Sequence, residues 1–347
     1  MSVKVGFLGM GGMANHHLKV LSKLGGVEFV AFCDKLSERA ESAAKEQGGR
    51  AYTDYKKMLE KELLDALFIC LPPDAHGDEE ILAAKQGIHL FIEKPIALDL
   101  KKAKEIEEVI KISGIVCSVG YRWRYLDITK RAKEILEGKK VGMVLGYWMG
   151  GVPGANWWGE MKRSGGQMVE QTTHIVDLSR YLVGDVERVY ALYGKNILSK
   201  EREGFNLPDV GSMLLQFKEG IIGTISNTCL LELAYTVGLN IVAKDLVLES
   251  QGGRLKIIEP RRREEIYNQN DDVLTEDDVF LKAVKTKDTS KVLSSYSDAL
   301  KTLAVTLAAN QSAESGKVIE LEVGREKGEV EKWRSEEWEV GNGKKSP

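Results

Sequence analysis

Short, continuously apolar runs alternate with amphipathic stretches through the first third of the chain. Val3–Leu8, Val27–Cys33, 66–71, His89–Ile92 and 115–119 read as strands, with a brief one at 51–52. Between them, helical spacing marks 16–24, Ser37–Gln47, Tyr55–Lys61, 78–86 and 100–112. Strands apolar on both sides, each followed by a helix, predict a parallel sheet covered on both faces. After Gly120 the order changes. Helix 128–136, strand Val141–Met149, a Gly/Trp-rich loop at 150–166 and helix 167–182 come first. Hairpin-like strands follow: 212–217 and 221–228 about the turn Lys218-Glu219-Gly220, then 238–242, 246–250 and 254–258. Helix 296–313 and strand 318–323 close the pattern. The expected class is α/β: an N-terminal parallel sheet of Rossmann type at 1–121, then an α+β domain with an open, mostly antiparallel sheet at 122–324. A charged tail, 325–347, is expected to be loosely ordered, with Trp333 and Trp338 able to dock.

Composition narrows the function classes. The chain has 347 residues, enough for two domains, and a net charge of 49 − 52 = −3. No basic field recruits nucleic acid or an anionic membrane surface. Cys33, Cys70, Cys117 and Cys229 are scattered and form no CxxC pair, which argues against a disulfide framework or zinc site. No apolar run approaches the ~18 residues of a membrane span. The chain starts directly on its first strand without a leader-like stretch, so a cytoplasmic location is expected.

The first strand runs into Gly9-Met10-Gly11-Gly12-Met13-Ala14, a G-x-G-x-x-A pattern that opens a helix. Gly9 permits the tight turn, Gly11 and Gly12 let a pyrophosphate approach the backbone, and Ala14 lets helix and strand pack closely. Free amides and the helix dipole favour phosphate there. Asp34 ends the second strand, where an acid bonds a ribose 2′-hydroxyl and repels a 2′-phosphate. That favours NAD, while Lys35 beside it leaves NADP possible.

Two further stretches carry chemistry. The fifth strand ends in Glu93-Lys94-Pro95, at the edge where ligands bind in open parallel sheets, and Pro95 is compatible with a cis bond. On a continuous helix 167–182, Glu170, His174 and Asp177 fall at i, i+4 and i+7 on one stripe. A solvated helix face is the competing reading.

Gly9/Gly11/Ala14, Pro72-Pro73 with His76, Glu93-Lys94-Pro95, and Gly165-Gly166…Glu170…His174…Asp177 occur in this order. The set resembles the glucose–fructose oxidoreductase / inositol dehydrogenase (Gfo/Idh/MocA) family over 3–323. The resemblance implies nicotinamide-dependent oxidation or reduction of a sugar, inositol or related polyol. It places Leu71, Pro72, Pro73, His76 and Glu93 beside the nicotinamide and its ribose, and Lys94 against the reacting hydroxyl. It pairs Glu170 with His174. Glu170 stands where many members have Asp, and Thr172 where many have Gly. The chemistry suits these types: His174 as general base, Lys94 stabilising the alkoxide, Glu170 orienting substrate or imidazole. Arg122 and Arg124 are substrate candidates, with an interdomain ion pair as the alternative for each. Trp157 and Trp158 are candidates for a pocket wall against a sugar ring. No metal is expected. The other readings are a non-catalytic dinucleotide or sugar-binding regulator, or a redox-neutral NAD-using glycosidase. The C-terminal sheet is expected to pair copies into a homodimer or homotetramer.

Overall fold

The computed structural model describes residues 2–195 and 197–321, so the 325–347 tail with Trp333 and Trp338 lies outside the described residues. The chain opens with β1 (Val3–Leu8), α1 (Gly12–Leu21), β2 (Val27–Cys33), α2 (Ser37–Gln47), β3 (Arg50–Tyr52) and α3 (Tyr55–Lys61). It continues through β4 (Ala66–Ile69), α4 (Asp78–Lys85), β5 (His89–Ile92), α5 (Leu100–Ser113) and β6 (Cys117–Val119). These six strands form one parallel sheet in the order β3-β2-β1-β4-β5-β6. The order reverses between β1 and β4, which opens a crevice at the carboxyl ends of those strands.

The second half carries α6 (Asp127–Leu136), β7 (Val141–Met149), α7 (Met161–Ser164), α8 (Gln167–Glu170), α9 (Thr173–Val183) and β8 (Val186–Gly194). Then come α10 (Leu198–Glu201), β9 (Val210–Phe217), β10 (Ile222–Thr228), β11 (Thr236–Ala243), β12 (Leu246–Gln251), β13 (Arg254–Glu259) and β14 (Arg262–Tyr267). The last elements are α11 (Asp272–Thr286), α12 (Tyr296–Ser315) and β15 (Ile319–Glu320). Nine strands form an open sheet, β14-β13-β12-β11-β7-β10-β9-β8-β15. Among the described residues only β7 and β10 pair in parallel in this sheet; the other neighbours are antiparallel. The class expected from the sequence holds.

Helices α6, α9 and α12 bury Ile128, Ala132, Ile175, Leu178, Val305 and Ala309 against one face of this sheet. The other face leaves Met143, Leu192, Leu214 and Ile222 exposed. The first sheet is covered on both sides. On one, α1 and α2 join Phe7, Phe32, Phe68 and Phe91; on the other, α4 and α5 pack over Leu67, Ile69 and Leu90. The later helices return to it. Phe280 of α11 meets Phe68 and Phe91 edge-on at 5.5 and 5.6 Å, and Tyr296, Ala299 and Leu303 of α12 enter the opposite layer.

Some elements differ from expectation for physical reasons. Helix α1 begins at Gly12, not at 16, because the glycine turn is its first turn. Strand β14 carries Arg262, Arg263, Glu264 and Glu265 at an open edge, so no apolar alternation marks it. Helix α11 escaped the periodicity because Glu276 and Asp277 occupy buried positions beside Val273, Phe280 and Val284.

Candidate active site

The glycine turn lies at the crevice between β1 and β4. Gly9 adopts φ 82°, and a Cβ there would collide with the Cys70 carbonyl of the neighbouring strand. In front of Gly11 and Gly12 nothing lies within 4 Å of the position a Cβ would take. Helix α1 has no side-chain cap, so its first amides face this open space without an intrahelical acceptor. Asp34 braces the turn: Oδ2 accepts from Met10 N at 2.7 Å and Oδ1 from Leu36 N at 2.9 Å. Met13 and Lys35 are exposed beside it, while Ala14 is buried against the sheet. An open glycine cradle, a free helix N-terminus and a strand-end carboxylate fit a dinucleotide pyrophosphate and ribose. Leu71 and Pro72 stand half-buried at the end of β4 on the same rim, and Pro73 is buried behind them.

The Lys94–Pro95 peptide is cis, and Lys94 leaves the end of β5 towards the second half of the chain. Its Nζ donates to Glu170 Oε1 at 2.9 Å and to the Glu170 carbonyl at 3.0 Å. The indole Nε1 of Trp158 donates to the other carboxylate oxygen at 2.6 Å. Both oxygens of Glu170 are thus engaged, one on a cation and one on a buried indole.

His174 opens α9 and is 7% exposed. It stacks on Trp123 at 4.9 Å and on Trp148 at 6.1 Å, with Tyr121 edge-on at 6.0 Å. Its Nδ1 is buried without a hydrogen-bond partner. Burial, with the positive charges of Lys94 and Arg122, holds its pKa well below the ordinary imidazole value. The ring is therefore neutral at neutral pH, with an unprotonated nitrogen able to accept a hydrogen bond.

Several expectations change here. The helix at 167–182 is two helices, and the break falls between Glu170 and His174. The Thr172 amide reaches back five residues to the Gln167 carbonyl, while the His174 amide bonds Gln171 only three back. Thr172 Oγ1 is meanwhile tethered to Asn227 of β10 at 2.8 Å. The single stripe expected from Glu170 to His174 is thus broken, and Glu170 bonds the lysine. Arg124 is not at a substrate surface. It is 3% exposed and grips Asp177 through Nε and Nη2 at 2.7 and 2.6 Å. Trp158 is 1% exposed among Leu198, Phe205 and Leu207, so it is a support for Glu170 and not a pocket wall. Trp157 packs half-buried on the same cluster.

His76 turns inward from the cofactor rim, its Nδ1 2.6 Å from Glu80 Oε1, which makes it a brace at the start of α4. Glu93 likewise spends Oε1 on His17 Nε2 at 3.0 Å. Glu170, His174 and Asp177, the set that could have held a metal, separate into different networks. The described residues bring His76, Glu79 and Glu80 within metal-ligating distance instead. Arg122 remains near the site: it pairs with Asp272 at 2.5 Å and acts on the imidazole through its charge.

Trp123 and Trp148 are the site residues that sequence reasoning missed. They stack on each other at 5.7 Å and 11°, one just after β6 and the other near the end of β7. Their signal was an aromatic at each strand exit. A second missed group is a buried relay in which His17 Nδ1 meets both oxygens of Asp277 at 2.9 Å while Nε2 meets Glu93. Burial alone would lower the pKa of His17, but the two carboxylates raise it to about 10.

Comparison with known proteins agrees with this fold. Residues 3–121 match the model described as an oxidoreductase family with an NAD-binding Rossmann fold, and 129–248 match the GFO/IDH/MocA C-terminal domain. The scyllo-inositol 2-dehydrogenase (NAD(+)) of Bacillus subtilis is 30% identical over 230 residues, 64% of this chain and 66% of that one. The match thus spans just under two thirds of that relative. The myo-inositol 2-dehydrogenase of Thermotoga maritima is 27% identical over 65% of this chain and 68% of its own length. Among solved structures, the WlbA dehydrogenase of Bordetella pertussis, in complex with NADH and UDP-GlcNAcA, superposes with a TM-score of 0.81. It is 23% identical, and the match covers 93% of this chain and all of that one, which establishes likeness of fold.

Proposed function

The chain belongs to the Gfo/Idh/MocA family of oxidoreductases and carries an NAD-binding Rossmann fold, and from that premise we propose that it oxidises a secondary hydroxyl of a sugar, inositol or sugar derivative. The observation that carries the reading is the contact of Lys94 with Glu170. It brings a strand-end ammonium of the first sheet to the segment just before the neutral, buried imidazole of His174. Bound NAD supplies the acceptor for the carbon-bound hydrogen. The glycine turn and Asp34 hold the dinucleotide. Lys94 donates a hydrogen bond to the reacting hydroxyl and stabilises the alkoxide as it develops. His174 takes the hydroxyl proton. Glu170 and Trp158 fix the lysine, and Tyr121, Trp123 and Trp148 fix the ring. Relatives named as inositol dehydrogenases support the polyol class.

The test is NADH formation by the purified chain across a panel of sugars and cyclitols. Lys94→Ala and His174→Ala are expected to lower turnover by ~10²-fold or more with NADH binding retained. Full turnover in either variant refutes the assignment, and no NADH with any polyol points to the regulator or the glycosidase. We also propose that copies of the chain pair through the open sheet face, where Met143, Leu192, Leu214 and Ile222 are exposed.

A further inference from the structure

Beside the imidazole lies a cavity of about 960 Å³, at the upper end of the ~300–1,000 Å³ typical of small-molecule sites. At roughly 30 Å³ for each water-sized volume it holds about 30 non-hydrogen atoms, well over twice a single hexose. Lys94, Glu170 and His174 do not line it; it adjoins the imidazole through the two indoles on which His174 stacks. Its near wall is the Trp123/Trp148 stack on which His174 rests, and Gln171 and Ile175, the neighbours of Glu170 and His174, also line it. Its far wall is the connection between β10 and β11, where Leu233 is 59% and Tyr235 69% exposed. Two indoles, an unburied leucine and an unburied tyrosine thus line one open space. Such a lining suits a ring with an apolar face.

The charges on the lining narrow the ring further. Arg122 is already paired with Asp272 at 2.5 Å, and Arg202 shares the lining with Glu232. Two cations against two anions give the lining no net positive charge to offset a diphosphate. A nucleoside-diphosphate sugar is therefore disfavoured, and a neutral ring fits.

We propose that the preferred substrate is a neutral glycoside, whose reacting sugar meets Lys94 and His174 while the ring linked to it stacks between the indole pair and Tyr235. This rests on the dehydrogenase reading and adds the substrate class to it. Binding energy from the linked ring is realised away from the reacting carbon, so it lowers KM for glycosides relative to the free sugar.

The test uses the full chain with NAD. It compares glucose, galactose, mannose and myo-inositol with the phenyl β-glycosides of the three sugars and with UDP-glucose. At least one phenyl glycoside is expected to exceed its parent sugar about tenfold in kcat/KM, mainly through KM. The Leu233→Ala/Tyr235→Ala double variant, altered only at exposed positions, is expected to erase that gain and leave the parent sugar's rate unchanged. Equal kcat/KM for sugar and glycoside, preference for myo-inositol or UDP-glucose, or an unchanged gain in the double variant overturns the proposal. A second arm reads the cavity without turnover, as quenching of tryptophan fluorescence by the phenyl glycosides in the presence of NADH. If no compound yields NADH, the dehydrogenase reading fails. Quenching that the double variant weakens then still supports the ring site, and no quenching overturns it.

Discussion

Removing the carboxylate of Asp177 should unsettle the join between the two sheets without touching the chemistry. Arg124 lies on the segment after β6, Asp177 on α9 and Asp298 on α12, so one guanidinium ties three elements. Its Nε and Nη2 form a fork on Asp177, its Nη1 donates to the Leu293 carbonyl at 2.5 Å, and Nη2 lies 2.5 Å from Asp298 Oδ2. Thr302 adds a bond to Asp177 at 2.9 Å. Asp177→Ala leaves a 3%-exposed guanidinium with half of its anionic partners. Breaking a buried pair from one side costs about 3–5 kcal/mol, and the remaining Asp298 places this case near the lower figure. With an unfolding entropy of about 2.1 cal/mol/K per residue, the chain has roughly 0.7 kcal/mol/K, so Tm should fall by about 4 °C. Thermal denaturation followed by circular dichroism reads it. Replacing both partners by apolar residues, Arg124→Met with Asp177→Leu, should recover most of the loss, because no buried charge is left unpaired. An Asp177→Ala protein that melts with the parent but shows a raised substrate KM would refute the reasoning and return Arg124 to the substrate surface.

Asp34→Ser keeps an acceptor for the Met10 amide but removes the charge that repels a 2′-phosphate; the NAD-over-NADP ratio of kcat/KM should fall at least about tenfold, measured with either cofactor. His17 binds its proton more tightly folded, at about 10 against an ordinary 6.5, so its stabilisation is complete below pH ~6.5 and is lost as pH rises through about 10. Melting temperature against pH should therefore decline over that window in the parent and decline less in His17→Gln; identical slopes would refute the relay. Leu214→Glu with Leu192→Glu should convert an oligomer to monomer by light scattering, and an unchanged mass would exclude that sheet face as the interface.

Most of the parallel sheet was legible because its signal is local: β4 is an unbroken apolar run, β1, β2 and β5 are apolar but for Lys4, Glu28 and His89, and the glycine turn sits between a strand and a helix. The meeting of Lys94 and Glu170 was legible because each sits in a short motif, and His174 was legible as a candidate beside them. Their partners were not. Whether Glu170 serves the lysine or the imidazole depends on where the Thr172 amide finds its acceptor, and that follows from the tether to Asn227 in β10, a contact 55 residues away. Arg124 and Trp158 carry the side chains of a sugar site, yet burial assigns them to the scaffold. Helix α11 hid behind Glu276 and Asp277; the inward placement of Asp277 makes sense only once His17 stands opposite it.

The return of α11 to the first sheet sets how the protein can be cut. A fragment ending after β6 would lose Phe280 and strip the layer over Phe68 and Phe91, and it would leave the His17 imidazole without its Asp277 anchor. The nucleotide module is thus finished by chain synthesised more than 150 residues later, so a nascent ribosome-bound copy would hold that half open until the far end emerges, and a designer borrowing the module must graft this helix along with it.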